Sequence, residues 1–136
     1  MNTKILKKKN CLITGATGGI GEEISKQLAA LSCNLFLTST NKMKLEKLKN
    51  DLRKINSNIK IETFATNLNN EEKILEMIKY VRKKSASINI LINCAGIFMI
   101  KSIEKNTIED FDKSINLNVK VPFILSREFS KDMITK

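Results

Sequence analysis

The sequence contains no histidine and no tryptophan, and it has one proline and three cysteines in 136 residues. Without histidine, these residues cannot build a Ser-His-Asp triad, and they lack the side chain that most often binds metal ions. Cys11, Cys33 and Cys94 are far apart and form no Cys-x-x-Cys pair, so neither a zinc site nor a disulfide framework is indicated. Each cysteine lies in an apolar run, and we therefore expect three reduced thiols in the core.

Long hydrophobic runs are also missing from the sequence. No apolar segment approaches the length that is needed to span a bilayer. Residues 1–10 carry lysines but lack the apolar stretch of a secretory signal. These features predict a cytoplasmic protein that does not interact with a membrane.

Acidic residues are outnumbered, with 14 Asp+Glu against 24 Lys+Arg, which gives a formal net charge of +10. Such a charge is typical either of a polyanion-binding surface or of a lysine-rich solvated surface. The lysines are spread over every segment, and the aromatic fraction of 5% offers no platform on which bases could stack. The solvated surface is therefore the preferred interpretation, and we expect no nucleic-acid partner.

Short apolar runs alternate with apolar residues at helical spacing along the chain. The runs predict four strands, at residues 11–14, 35–38, 59–65 and 88–93. Helices are predicted between the strands, and two more follow the fourth strand, near 108–115 and from Pro122 onward. Parallel strands joined by helical crossovers form an α/β, Rossmann-type doubly wound sheet with helices on both faces. We expect residues 1–136 to form one such domain.

Nothing after Ile92 has the pattern of another strand. A four-stranded sheet would leave the fourth strand as an apolar edge, which is unfavourable in a soluble protein. The last helix also reaches Lys136 without a capping signal. We therefore expect a domain that is truncated after the fourth strand and the helices that follow it.

Glycines cluster between the first strand and the first helix, in the segment Thr14-Gly15-Ala16-Thr17-Gly18-Gly19-Ile20-Gly21. In this position glycines permit a tight turn, a close approach of the backbone to a pyrophosphate, and close packing of helix on strand. The helix N-terminus adds free N–H groups and the positive end of its dipole. A tight turn without a ligand is the alternative, and a Walker A loop is excluded because no Gly-Lys-Ser/Thr follows. The predicted cofactor-binding residues here are Gly15, Thr17, Gly18, Gly19, Ile20 and Gly21.

The spacing Thr-Gly-x-x-x-Gly-x-Gly resembles the short-chain dehydrogenase/reductase family. The segment Asn93-Cys94-Ala95-Gly96 resembles the family's Asn-Asn-Ala-Gly, with cysteine in place of the second asparagine. The resemblance implies that this segment stabilises the sheet and lines the cofactor site through Asn93, Ala95 and Gly96. A third similar segment, 111–118, places the family's catalytic asparagine at Asn118. The same asparagine can also hold the backbone at a helix junction, and the two roles are compatible.

The residues after the second and third strands bear on the choice of cofactor. An acidic residue after the second strand would favour NAD, but the stretch 38–42 contains none. Hydroxyls and Lys42 can accept a 2′-phosphate, so NADP is predicted, with Thr40 as a contact, while Asn41 is a candidate helix cap. Asn67 and Leu68 occupy the positions that lie next to the adenine in relatives. With Thr40, they most resemble bacterial 3-oxoacyl-[acyl-carrier-protein] reductases, which use NADPH.

The resemblance implies an oxidoreductase that reduces a carbonyl to an alcohol by hydride transfer. The carbonyl would belong to a small molecule or to a substrate carried by acyl-carrier protein, and the enzyme would be a homo-oligomer, since relatives are often tetramers. The family's serine and Tyr-x-x-x-Lys are expected beyond the last helix. Tyr80 and Lys84 share that spacing but precede the fourth strand, which would place them outside the sheet. The sequence leaves three hypotheses: a carbonyl reductase, an inert NADP-binding or interaction module, and a basic nucleic-acid-binding protein.

Overall fold

The computed structural model describes residues 6–134. Its elements, in chain order, are β1 (Asn10–Thr14), α1 (Gly19–Ala30), β2 (Asn34–Ser39), α2 (Lys42–Ile55), β3 (Ile61–Ala65), α3 (Glu71–Lys84), β4 (Ile90–Asn93), α4 (Ile108–Ile115) and α5 (Val121–Ile134). A 3₁₀ turn at Ile103–Lys105 precedes α4, and a π-helical turn at Asn116–Lys120 joins α4 to α5. The predicted alternation of strands and helices is confirmed.

The sheet is parallel, with the strand order β3-β2-β1-β4. β1 and β2 are its central strands, and from Cys11 to Thr14 and from Leu35 to Thr38 every residue is at most 1% exposed. Burial on both faces explains why these strands are nearly continuous apolar runs. The Rossmann-type, doubly wound architecture is therefore confirmed, and in residues 6–134 the sheet ends at β4.

Helices cover both faces of the sheet. Side chains alternate between faces along a strand, so Ile13 and Leu35 pack under α1 and α2, whereas Leu12 and Phe36 pack under α3 and α5. Phe129 of α5 is fully buried on the face that α3 and α5 cover. α5 is thus partly a core helix.

Two strands start later than predicted. β3 begins at Ile61 and β4 at Ile90, rather than at residues 59 and 88. Ile88 is buried, but its N–H is directed at the Asp132 carboxylate of α5 at 3.3 Å and not at a neighbouring strand. The apolar run therefore continues into the core beyond the paired part of the strand.

The helices differ in how their N-termini are capped. The side-chain oxygen of Asn41 accepts from the Lys44 N–H at the start of α2, as predicted, and Asn70 caps α3 in the same way. Thr107 and Asp110 form a capping box on α4. α1 begins after Gly18, which has no side chain to cap it. Within residues 6–134, no helix combines the length and hydrophobicity that crossing a membrane requires.

Candidate functional site

A pocket of about 250 Å³ opens where the four strands end. Its wall consists of the turn after β1, the segments that follow β2, β3 and β4, and one residue of the π-helical turn. The lining residues are Gly15, Thr17, Gly18, Ser39, Thr40, Thr66, Asn67, Leu68, Asn69, Cys94, Ala95, Gly96 and Leu117. The chain runs from β1 outward to β3 and then returns to β4 on the other side of β1, so the pocket lies at the topological switch point. Open α/β sheets bind their ligands at this edge.

Two glycines of the turn are required by close backbone contacts. Gly15 has a φ of +62°, and a Cβ there would lie 2.7 Å from the Ala95 nitrogen. A Cβ on Gly21 would overlap the Gly15 carbonyl oxygen and would lie 2.9 Å from the Ala16 Cα. The Ala95 N–H also donates to the Thr14 hydroxyl at 3.1 Å. The turn after β1 and the segment after β4 are therefore packed directly against each other.

The N-terminus of α1 is open beside this turn. Gly18 provides no capping side chain, and a Cβ on Gly19 would meet nothing within 4 Å. The first N–H groups of a helix have no partner within the helix, and they carry the positive end of its dipole. Ile20 is 74% exposed, so the first turn of α1 lies at the surface. This end of α1 can accept an anionic group.

The wall on the side of β2 is made of hydroxyl groups. The Thr17 and Ser39 hydroxyls are 2.5 Å apart and share a hydrogen bond, which joins the glycine turn to the end of β2. Thr40 is exposed, and Lys42, also exposed, opens α2. None of the residues that line the pocket is acidic. This side of the pocket can therefore accept a negatively charged substituent.

The wall on the side of β3 is a tight polar turn. The Asn67 side-chain oxygen accepts from the Asn69 N–H at 3.0 Å. The Asn116 amide of the π-helical turn donates to the Asn69 backbone oxygen at 3.2 Å and to its side-chain oxygen at 3.0 Å. Leu68 is 5% exposed and anchors the turn in the core. The π-helical turn thus holds the loop that follows β3 through these two hydrogen bonds.

Asn118 fastens the segment that follows β4. Its side-chain oxygen accepts from the Ile97 N–H, and its amide donates to the Ile97 carbonyl oxygen, both at 2.8 Å. Asn118 lies in the π-helical turn, which places it within hydrogen-bonding distance of Ile97 in the segment after β4. π-helical turns inside α-helices occur frequently at functional sites. The structure therefore shows the junction role that the sequence left open, and the catalytic role of Asn118 remains a prediction.

The pocket differs in membership from the predicted site. Eight of the predicted cofactor-binding residues line it, whereas Gly19, Ile20 and Gly21 lie in the first turn of α1 and Asn93 ends β4. The lining residues that sequence analysis did not select are Ser39, Thr66, Asn69, Cys94 and Leu117. Each of the five is next in the chain to a predicted site residue or to a residue of a motif. Extending the predicted site to the chain neighbours of those residues would therefore have included them.

Cys94 corrects one expectation. Cys11 and Cys33 are buried as predicted, and burial raises the pKa of the Cys33 thiol to about 11. Cys94 is only partly buried and lines the pocket. It follows the last residue of β4, where the chain leaves the sheet and passes over the pocket. An apolar run does not reveal the point at which its strand ends.

Tyr80 lies on α3, as predicted, and does not line the pocket. Its ring packs against Phe64 with the centroids 4.9 Å apart, and its hydroxyl donates to the Glu62 carboxylate at 2.8 Å. The Lys84 ammonium lies 3.9 Å from the same carboxylate. Tyr80 is therefore a partly buried helix residue, and the prediction that it lies outside the sheet is confirmed.

The ionisation of Tyr80 is expected at unusually high pH. Burial, followed by the contact with Glu62, raises the pKa of Tyr80 to about 12. The folded chain favours the neutral phenol over the tyrosinate. The contribution of the neutral Tyr80 to the free energy of unfolding is therefore complete below a pH of about 10 and is lost as the pH rises through about 12. Tyr80 is the single tyrosine and no tryptophan is present, so tyrosinate absorbance reports this group alone. A midpoint near or below the ordinary pKa would contradict the contact with Glu62.

A doubly wound parallel sheet with a glycine turn and an open helix N-terminus at its carboxyl edge defines a Rossmann-type nucleotide-binding domain. The sequence profile described as short chain dehydrogenase matches residues 9–136. The chain belongs to the short-chain dehydrogenase family.

Three similar proteins illustrate the family. The 3-oxoacyl-[acyl-carrier-protein] reductase FabG of Rickettsia bellii (strain RML369-C) is 38% identical over 130 residues, which cover 96% of this chain and 50% of the relative. A metagenomic short-chain oxidoreductase in complex with NADP superposes with a TM-score of 0.86 at 25% identity, over 96% of this chain and 58% of that one. An NAD⁺-bound xylitol dehydrogenase gives a TM-score of 0.86 at 26% identity, over 97% of this chain and 50% of that one. The chain thus spans about half the length of the curated relatives that it matches.

Proposed function

We propose that the pocket binds NADP(H) and that the protein acts as an NADPH-dependent oxidoreductase that reduces a carbonyl to an alcohol. The observation that carries this proposal is the uncapped N-terminus of α1 beside a glycine cradle. A Cβ at Gly15 or Gly21 would collide with backbone atoms, so both glycines fix the shape of the turn, whereas the space at Gly19, beside the helix N-terminus, is open. The residues present therefore fit a diphosphate group. The similar oxidoreductase with NADP supports the same cofactor.

Each part of the cofactor has a counterpart in this chain. The N–H groups at Gly19 and Ile20 would hold the diphosphate, together with the turn from Gly15 to Gly18. Thr40 and Lys42 would hold the 2′-phosphate, because the wall beside them is polar and without an acid. Asn67 and Leu68 would flank the adenine, and the segment Asn93-Cys94-Ala95-Gly96 would lie on the nicotinamide side.

The reduction needs a hydride and a proton. NADPH would supply the hydride when bound, and a proton donor of suitable pKa would complete the reaction. Tyr80 is unsuited to this step because its hydroxyl is bonded to Glu62 on α3, away from the pocket. Asn118 acts by holding the loop at Ile97, which keeps Ala95 and Gly96 in the pocket wall. The similarity to FabG supports a 3-oxoacyl group on acyl-carrier protein as the substrate and acyl-carrier protein as a partner.

The preference for NADPH is the direct test of the proposed cofactor site. We expect the chain to bind NADPH at least about tenfold more tightly than NADH, because a charge-assisted hydrogen bond to the 2′-phosphate adds free energy of that size. Thr40→Asp would place a carboxylate at the end of β2, and the order of affinities should reverse. Titration of both nucleotides against both chains measures this. Equal affinities in the unaltered chain would contradict the assignment.

A second candidate is an NADP-binding or interaction module without reductase activity. It is favoured by one observation: in residues 6–134 the pocket wall contains no tyrosine, lysine or acid. Oxidation of NADPH in the presence of a 3-oxoacyl thioester distinguishes the two functions. Turnover supports the reductase, and binding of NADPH without turnover supports the module.

A further inference from the structure

Thr66, the first residue after β3, carries a buried hydroxyl without a partner. The residue is 8% exposed, and its backbone N–H donates to the Ser39 carbonyl oxygen at 2.9 Å. Its side-chain oxygen is buried and makes no hydrogen bond, and it is the single side-chain atom of this kind in residues 6–134. Buried hydroxyls in folded proteins nearly always have partners, because an unpaired one costs free energy.

The other buried hydroxyls in the part of the chain that the structure describes follow that rule. Thr14 accepts from the Ala95 N–H at 3.1 Å, and Thr38 donates to the Phe64 carbonyl oxygen at 2.8 Å. Ser25 donates to the Gly21 carbonyl oxygen at 2.6 Å. Thr66 differs from them because it belongs to the wall of the pocket. A valine of the same shape would fill its place at lower cost, so the unpaired hydroxyl indicates a partner in the pocket, which it reaches when the Thr66 side chain rotates toward the pocket.

We propose that the Thr66 hydroxyl is a hydrogen-bonding group for the adenosine portion of the bound nucleotide. This inference rests on the proposed cofactor site. The diphosphate would lie at α1, next to β1, and the adenosine ribose lies at the end of β2 in such domains. β3 is the next strand outward, on the side away from β4. The group that follows the ribose in this direction is the base, whose edge carries both donors and acceptors that a hydroxyl can satisfy.

The test compares three substitutions in the full chain. Thr66→Val removes the hydroxyl and keeps the shape, Thr66→Ser keeps the hydroxyl, and Thr63→Val is a matched control on β3. Thr63 is suitable because its hydroxyl bonds to Glu46 on the surface and does not line the pocket. T66V should weaken NADPH binding about tenfold. T66S and T63V should bind like the unaltered chain, and T66V without nucleotide should melt no lower than the unaltered chain.

Fragments of the cofactor locate the contact. AMP should lose affinity for T66V by the same factor as NADPH, and nicotinamide mononucleotide should lose none. Equal NADPH binding by the unaltered chain and T66V would overturn the role of Thr66 while leaving the cofactor site intact. Failure of the unaltered chain to bind NADPH would overturn both. Thr66→Ala, which also lacks the hydroxyl, gives the same decision if T66V does not fold.

Discussion

Alanine at Gly15 or Gly21 is expected to destabilise the fold strongly, whereas alanine at Gly19 is not. Gly15→Ala forces a left-handed backbone conformation on a residue with a side chain and pushes its Cβ against Ala95, for a combined cost of about 2–5 kcal/mol. Gly21→Ala presses on the backbone of Gly15 and Ala16 and should cost about 1–3 kcal/mol. Both contacts are with backbone atoms, which cannot rotate away.

Gly19→Ala is the matched control for these two variants. The space around its Cβ is open, and alanine favours a helix over glycine by roughly 0.5–1 kcal/mol. The free energy of unfolding should therefore stay equal or rise. Urea denaturation followed by circular dichroism measures all three variants. A Gly21→Ala chain as stable as the Gly19→Ala chain would show that the turn is not packed as described.

Aspartate at Gly18 is expected to abolish nucleotide binding without harming the fold. Gly18 is the N-cap of α1, and its backbone is in an extended conformation that any residue can adopt. Aspartate is a preferred N-cap, so the variant should gain a few tenths of a kcal/mol. The same carboxylate would occupy the N–H groups that the diphosphate needs and would repel it. We expect a loss of NADPH affinity of at least about 100-fold.

Asn70→Asp provides the control for charge. Asn70 is the N-cap of α3, is exposed, and does not line the pocket, so the substitution adds the same charge at an equivalent helix position. NADPH binding should be retained. Calorimetric titration together with a thermal melt separates affinity from stability for both variants. Retained binding in Gly18→Asp would refute the placement of the diphosphate at α1.

The central part of the fold follows from the sequence because its signals are local. β1 and β2 are buried on both faces, so their sequences are nearly continuous apolar runs. Asn41 indicates the start of α2 because its side chain can cap a helix N-terminus. The glycine turn is recognisable for the same reason: Gly15 has a positive φ, which glycine tolerates.

The remaining features depend on contacts between distant segments. Thr66 has the appearance of an ordinary polar residue after a strand, and its burial and missing partner arise from the packing around it. Asn116 donates to Asn69, which lies 47 positions away in the chain, and no local pattern encodes that pairing. Phe123 and Phe129 look equivalent in sequence, yet one is 62% exposed and the other is buried, because α5 presents a single face to the sheet.

The central claim is that a nucleotide binds at the carboxyl edge of the sheet, with its diphosphate at the N-terminus of α1. Nuclear magnetic resonance of the isotope-labelled chain, titrated with NADPH, tests this residue by residue. We expect saturable shifts that are largest at the amides of Gly15, Gly18 and Gly19, with further shifts from Thr66 to Asn69 and at Ala95. Absence of shifts, or shifts confined to lysines outside the pocket, would contradict it.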